Sequence, residues 1–419
     1  MSESLGDQYD PLDGHFDDPF PFYARAHREM PVFFSAKLGI WMVTRLADVK
    51  KVLRDAKTFS SANALRPLKP LSMDVLPILF GGYPLVPVFL VMDGEEHMRR
   101  RQPFAAGFGP DRLEALEPYL TEYATALADD LAAGKTTADF MAAYANPLAI
   151  SVICRTMGYA PADYQALGED TRKAATLAMG YLFDSDDEQV EAAESWVRAQ
   201  RLIGRYVTER RALPGDDLIS QVISAYAPGA GSLSEDAEAE VVGSILGVTI
   251  AGNITPAALL GAGLLQLLTH PAQWRLLCER PGLIPNAIEE IARFCAPTHI
   301  FLRQTTKDTV LAGQELPAEA EVAVCPAAAN RDEAAYVRPA EFDITREPTA
   351  GHMTFGFGPH FCIGAGLARL ELEVCLRILT QRFPQLHLVP GQTATWSPSL
   401  VQKGPSVLPV TWEAGAGAA

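Results

Sequence analysis

The sequence predicts a mainly α-helical protein with a small β region, built around one long central helix. Three observations carry that expectation. Residues 110–226 run as helix after helix, rich in Ala and Leu. Residues 241–274 contain no Asp, Glu, Lys or Arg, the pattern of a helix buried on all sides. Beyond residue 300 the texture changes to short strand-like runs separated by Gly and Pro turns. At about 150 residues per domain, the 419 residues would fill two or three domains. No internal repeat or long linker divides them, so a single domain over residues 1–419 is expected.

Taken in order, residues 40–44 (Ile-Trp-Met-Val-Thr) read as a strand. Residues 46–54 read as a helix that Asp48 helps to start. Residues 76–92 are apolar but hold three prolines and the pair Gly81-Gly82, which predicts a loop. The helical tract after Pro110 is expected to break at Gly134, Pro147, Gly158, Pro161 and Pro214. A Gly/Pro/Ala loop at 228–232 precedes the central helix. A further helix is expected at 285–294, then strands at 302–310 and 321–325 around a 313–317 turn. Leu367, Leu370, Val374 and Ile378 mark the apolar face of another helix, with Arg369–Glu373 and Glu373–Arg377 spaced to pair along its outside. Residues 386–389 and 407–412 have strand character.

With 35 basic against 51 acidic side chains the net charge is −16. That balance argues against a nucleic-acid binder, which needs cations to neutralise phosphates, and equally against docking on anionic membranes. The stretch 241–274 is long enough to span a bilayer. Asn253, Pro256, Gln266 and His270 interrupt it and no basic cluster flanks it, so a core helix of a soluble protein is expected. The acidic N-terminus lacks a signal-peptide h-region. The six cysteines form no C-x-x-C pair and no zinc spacing, which reads as reduced, cytoplasmic usage.

The densest local signal is residues 355–364, Phe-Gly-Phe-Gly-Pro-His-Phe-Cys-Ile-Gly. Three glycines and a proline crowd one cysteine into a tight loop just before a helix. Backbone N–H groups and the helix N-terminus there can stabilise a thiolate and depress its pKa. Glycine also lets backbone lie flat against a planar cofactor. The residues by themselves indicate a reactive or metal-bound thiolate.

Phe355-Gly-x-Gly-x-His-x-Cys-x-Gly364 resembles the haem-thiolate loop of the cytochrome P-450 family. Similar text at 19–23, 41–45 and 217–219 extends the resemblance along nearly the whole chain. The resemblance implies the cytochrome P-450 fold, with the long helix over haem b (iron protoporphyrin IX). It also implies Cys362 as the axial metal ligand within a loop that includes Phe355, Gly356 and Gly364. A thiolate there pushes electron density into the iron and favours O–O cleavage. Glu290 and Arg293 resemble the family's E-x-x-R pair, expected to lock together and hold residues 330–332. His97 and Arg101, four apart on one helix face, resemble a clamp for the haem propionates, and Arg303 and His360 match two more such positions. Residues 251–255, Ala-Gly-Asn-Ile-Thr, resemble the oxygen-side signature. Thr255, Gly252 and Asn253 are then the catalytic candidates, Thr255 orienting dioxygen and passing protons.

The chain departs from that signature at Ile254, which occupies the usual acidic position and cannot relay a proton. Ile254 packs against a neighbouring helix with water in place of the carboxylate, or proton delivery is slowed or rerouted. Pro256 cannot donate an N–H to the Gly252 carbonyl, which should open the helix locally. Family positions around the distal pocket fall on Phe80, Tyr83, Phe89, Ile250, Ala251, Ile300, Phe301 and Val401, an overwhelmingly apolar set. His299 and Tyr83 are its expected polar handles. A small lipophilic, largely neutral substrate follows.

The expected activity is a monooxygenase that hydroxylates or epoxidises such a substrate with O2. Nothing in the 419 residues resembles a flavin or iron–sulfur domain. The implied electron donors are therefore separate chains, a ferredoxin and its NAD(P)H-dependent reductase, docking at Arg99, Arg100, Arg369 and Arg377. The alternative, motivated by Ile254, is oxidative coupling, desaturation or cyclisation without oxygen insertion. A haem-based binding or sensor protein is the non-enzymatic alternative.

Overall fold

The structure, a computed structural model, describes residues 4–178, 185–226, 233–347 and 351–413. The predicted loop at 228–232 lies outside them. The helical tract resolves into helices Pro110–Ala132, Asn146–Met157, Tyr164–Ala175, Asp186–Ala212 and Leu218–Tyr226. Their ends follow local chemistry. Ser185 and Glu188 form a reciprocal capping box at the start of Asp186–Ala212. Gly158, at φ 97°, ends Asn146–Met157 in the left-handed conformation that glycine tolerates best. Pro147 starts that helix instead of breaking the chain, because the first turn needs no N–H from it.

The central helix spans Glu235–Thr269. The Ser234 side chain accepts a hydrogen bond from the Ala237 N–H at its start, and Glu235, Asp236 and Glu238 sit at the positive end of its dipole. Helices Asn146–Met157, Tyr164–Ala175, Asp186–Ala212 and Ile284–Cys295 pack around it. Glycines let them approach: a Cβ on Gly252 would lie 2.6 Å from the Ile153 side chain, and one on Gly263 2.6 Å from Ile291. This is the one helix among the described residues long and apolar enough to cross a membrane, and most of it is buried inside the protein.

Strands Val32–Ser35, Ile40–Val43, Glu321–Val324, Phe301–Thr305 and Phe59–Ser60 form a five-stranded sheet in that spatial order. Ile40–Val43 pairs parallel to Glu321–Val324, with Met42 opposite Ala323, and the other pairs are antiparallel. One apolar cluster surrounds the central helix, with Leu120, Ile153, Leu264 and Val374 inside it. Others lie against the sheet, around Val32, Val49 and Val324 and around Phe22, Phe33 and Leu302. Each such fully buried side chain contributes about 1.5–3 kcal/mol. A cavity opens where helical and sheet clusters meet, with Ile153 and Leu259 on one side and Leu302 and Phe301 on the other.

Three local expectations need correction. Residues 76–92 are not all loop: Val75–Leu79 is a short helix and Phe89–Val91 a 3-10 turn. Pro77 falls in the first turn of that helix, where its missing N–H costs nothing. The predicted strand at 302–310 is two strands, Phe301–Thr305 and Thr309–Leu311. Along helix Ala365–Arg382, Glu373 does not bridge its neighbours. Arg369 instead reaches Glu289 at 2.6 Å and Arg377 reaches Glu117 at 3.5 Å, tying this helix to two others.

Candidate active site

The cysteine loop is shaped by its glycines. Gly356 and Gly358 have φ of 72° and 76°. A Cβ on Gly358 would sit 2.6 Å from the Leu53 carbonyl oxygen, so the loop can press this closely on its neighbour only with glycine there. The Cys362 N–H donates to the Phe355 carbonyl at 2.8 Å, closing the loop, and Gly364 leads into helix Ala365–Arg382. Cys362, Phe355, Gly356 and Gly364 all line the cavity. The expected depression of the thiol pKa does not follow from the protein alone. Burial pushes the Cys362 thiol up, outweighing the Gly364 N–H and the Arg101 and Arg369 charges.

Around the same cavity stand four nitrogen-bearing side chains. Arg101 and Arg303 line it, and neither makes an ion pair among the described residues. Arg303 donates to the Leu302 carbonyl at 2.7 Å and Arg101 to the Phe361 carbonyl. Burial lowers Arg303 to about 10, still cationic at neutral pH. His97 is completely buried, and neither ring nitrogen has a partner. Its ring stacks on that of His360 with centroids 3.8 Å apart. Burial, then the neighbouring His360, Arg101 and Arg303, lower His97 to about 4. His360 lies 3.0 Å from the Ser61 hydroxyl and 3.6 Å from Asp93.

The central helix contributes Ala251, Gly252, Thr255 and Pro256 to the cavity wall. The Thr255 hydroxyl donates back to the Ala251 carbonyl at 2.9 Å. Pro256 leaves the Gly252 carbonyl without its helical N–H, yet the helix runs on to Thr269. Asn253 departs from expectation. At about 100° per residue it points to the back of the helix, 1% exposed, and donates to the Gly168 carbonyl at 3.1 Å and the Thr171 hydroxyl at 2.8 Å. It tethers helix Tyr164–Ala175 and does not face the cavity. Ile254 is likewise buried in the core, outside the cavity wall.

Of the expected substrate-contact residues, Phe89, Ala251, Ile300, Phe301 and Val401 line the cavity. Ile250 is buried behind the wall. Phe80 is 79% exposed at the end of the short helix and turns away from the cavity. Tyr83 is also outside the wall, its hydroxyl donating to Glu238 at 2.8 Å. His299 faces away, edge-on to Phe20. Ile153, Leu65 and Glu371 line the cavity without having been singled out. For Glu371 a signal existed: it lies four residues after Leu367 and three before Val374, inside an apolar stripe.

Glu290 and Arg293 form a buried pair at 2.7 Å. The Arg293 guanidinium also donates to the carbonyls of Asn330, Pro339 and Glu341 at 2.9–3.0 Å. The Asn330 amide in turn donates to the Arg293 carbonyl, and its oxygen accepts from the Met353 N–H just ahead of the cysteine loop.

Residues 23–403 match the cytochrome P450 (P-450) family. A mycinamicin IV hydroxylase/epoxidase of Micromonospora griseorubida is 34% identical over 377 residues, 89% of each chain. A vitamin D(3) 25-hydroxylase of Pseudonocardia autotrophica is 33% identical, covering 97% of this chain and 96% of its own. The solved structure of cytochrome P-450 CREJ in complex with (4-ethylphenyl) dihydrogen phosphate superposes with a TM-score of 0.89 at 30% identity, over 97% of this chain and all of that one. The chain belongs to the cytochrome P-450 family.

This cytochrome P-450 is therefore a haem-thiolate monooxygenase, and its own residues fit the haem. The unpartnered nitrogens of His97 and the unpaired guanidinia of Arg101 and Arg303 suit two buried propionates, because buried donors left without acceptors are costly. The Cys362 side chain is exposed to the same space, where ligation by a cation would favour its thiolate. On the outer face, the arginines expected to receive a donor are engaged. Arg99 pairs with Glu96, and Arg369 and Arg377 with Glu289 and Glu117. Arg100 is largely buried, pairing with Glu240 of the central helix at 2.8 Å and stacking on Tyr226.

Proposed function

We propose that this cytochrome P-450 inserts one oxygen atom from O2 into a small lipophilic natural product, by hydroxylation or epoxidation. Two electrons would come from a ferredoxin and an NAD(P)H-dependent ferredoxin reductase on separate chains. The observation that carries the reading is one cavity of about 320 Å³ in which Cys362, Thr255 and an apolar wall share the same space. Relatives named for acting on mycinamicin IV, 6-deoxyerythronolide B and vitamin D(3) support the lipophilic class. The chain is read as one domain working in the cytoplasm.

Bound haem supplies a thiolate-ligated iron at which O2 is activated. The protein's part is holding and orienting. Cys362 anchors from the loop, while His97, Arg101, Arg303 and His360 hold the propionates. Gly252 keeps the central helix tight against Ile153, leaving Ala251 and Thr255 to face the reaction space. The Thr255 hydroxyl, resting on the Ala251 carbonyl, carries a proton at Oγ1 that rotation turns toward the cavity. Phe89, Ile300, Phe301 and Val401 exclude water and favour an apolar ligand.

A screen of lipophilic compounds for spectral shifts of the ferric protein identifies a ligand, and turnover with a ferredoxin system follows. A product heavier by one oxygen supports the reading. A product lighter by two hydrogens assigns the chain to coupling, desaturation or cyclisation.

A further inference from the structure

Two chain segments that line the cavity run side by side. The His299 N–H donates to the Val401 carbonyl at 2.7 Å and the Lys403 N–H to the Pro297 carbonyl at 2.8 Å, with Thr298 facing Gln402 in a β-bridge. Pro297, Thr298, Ile300 and Val401 of this pair belong to the cavity wall. The N-terminal arm lies against the same pair without lining the cavity, and it is pinned at both ends. Tyr9, 2% exposed, shares a hydrogen bond of 2.8 Å with the Tyr23 hydroxyl and packs in the apolar cluster that holds Ile300. At Phe20, the Arg331 guanidinium stands 3.5 Å from the ring centre and 3.8 Å from that of Phe294.

Between the pins, Leu12, Asp13, Gly14, Asp17 and Asp18 are exposed. Lys403 joins this stretch to the wall. Its Nζ donates to the Phe16 carbonyl at 2.9 Å and stands 3.5 Å from the centre of the Phe16 ring. The ammonium is held there at a cost. Burial lowers Lys403 to about 8 from an ordinary 10.5, with Asp17 opposing. Burial, then Lys403 and Arg331, lower the adjacent His299 to about 3, so it is neutral. Burial lowers Arg331 to about 10, with Cys295 and then Asp18 among the groups that oppose it. His15 is engaged within the arm, accepting from the Asp10 N–H at 2.9 Å. A lysine that gives up its proton more readily when covered favours, while charged, the uncovered state. The hold on Phe16 is therefore constant below about pH 8 and strengthens from there toward 10.5.

We propose that residues 10–18 form a strap that closes over the outer side of the substrate wall, and that Lys403 is the positioning residue that ties this strap to Pro297 and Val401. The proposal rests on the monooxygenase reading only in taking this cavity as the substrate site. With the strap down, Ile300 and Val401 are backed and keep their place against a ligand. With it raised, the paired segments can yield. Cavity occupancy and strap closure then favour each other reciprocally.

Hydrogen exchange of the haem-loaded full chain, read by mass spectrometry as protection factors over residues 10–18, tests this. Between about pH 7.5 and 9, protection should rise about tenfold in the wild type. It should stay level in Lys403→Arg, which remains charged, and in Lys403→Met, which has no proton to lose. Adding 4-phenylimidazole, an azole that ligates ferric haem from the cavity, should raise wild-type protection about threefold at the lower pH. A flat wild-type profile would overturn the proposal, as would a rise that survives in either variant. Protection indifferent to the azole would overturn the positioning role. Should Lys403→Met not fold by circular dichroism, the wild type and Lys403→Arg decide by the same criteria. Failure of the monooxygenase reading shows elsewhere, as a turnover product without added oxygen, and leaves the exchange comparison intact.

Discussion

At the scale of single residues, His97 and Arg303 carry the proposed grip on the haem propionates. Both are buried; neither nitrogen of His97 has a partner, while Arg303 lines the cavity, donates to the Leu302 carbonyl and makes no ion pair among the described residues. His97→Phe keeps a ring to stack on His360 but removes both nitrogens. The expected outcome is a folded protein with lower haem content after purification, and Arg303→Leu should lose more haem than His97→Phe. Absorbance ratios of haem to protein, with circular dichroism as the control for folding, check both. At this scale, the sequence made legible the residues whose placement depends on local spacing. Cys362, Gly356 and Gly358 lie within one loop, and Thr255 follows Ala251 by one helical turn. Asn253 sits within the 251–255 motif and Ile250 just before it, but both turn away, because which face meets the cavity depends on the neighbours a helix packs against. Phe80 and Tyr83 were illegible for a related reason: a short helix starting at Val75 redirects both.

At the scale of elements, buried charge ties the helices to the cysteine loop. Arg293→Ala would leave buried Glu290 with Arg346 alone, at 3.1 Å, and release three carbonyls, at a cost of about 3 kcal/mol. Chemical denaturation should show that loss, together with looser haem. A second link is Glu289, which accepts from Arg369 at 2.6 Å and lies 3.2 Å from His352. Burial opposes its charge, but hydrogen bonds from His352 and Arg369 prevail and hold it at about 2 against an ordinary 4.5. A lowered carboxylate stabilises the fold above its unfolded pKa, and that contribution is lost as pH falls from 4.5 toward 2. Glu289→Gln should flatten the fall in Tm across that window. The i, i+3 spacing of Glu290 and Arg293 was readable. That Arg369 and Arg377 would choose partners on other helices was not, since sequence shows only the neighbours along one helix.

For the whole molecule, the 241–274 stretch was readable as a core helix because polar and proline residues interrupt it, although that helix ends at Thr269 and Pro271 starts another; helices pack around it from several directions. What the sequence did not convey is how charge is distributed. The net −16 coexists with arginines that are mostly paired at the surface, so any donor must compete with Glu96, Glu289 and Glu117 for them. Exposed pairs of this kind contribute about 0–1 kcal/mol and are readily exchanged. Arg99→Glu should therefore slow reduction by a ferredoxin and weaken its salt dependence, measured by stopped-flow absorbance. The most direct test of the whole account is the mass of the product formed under isotopically labelled dioxygen, using a lipophilic ligand found by spectral shift. A cavity that joins a haem thiolate at Cys362 to an apolar wall predicts one labelled oxygen atom in the product. A product that carries no label would contradict it.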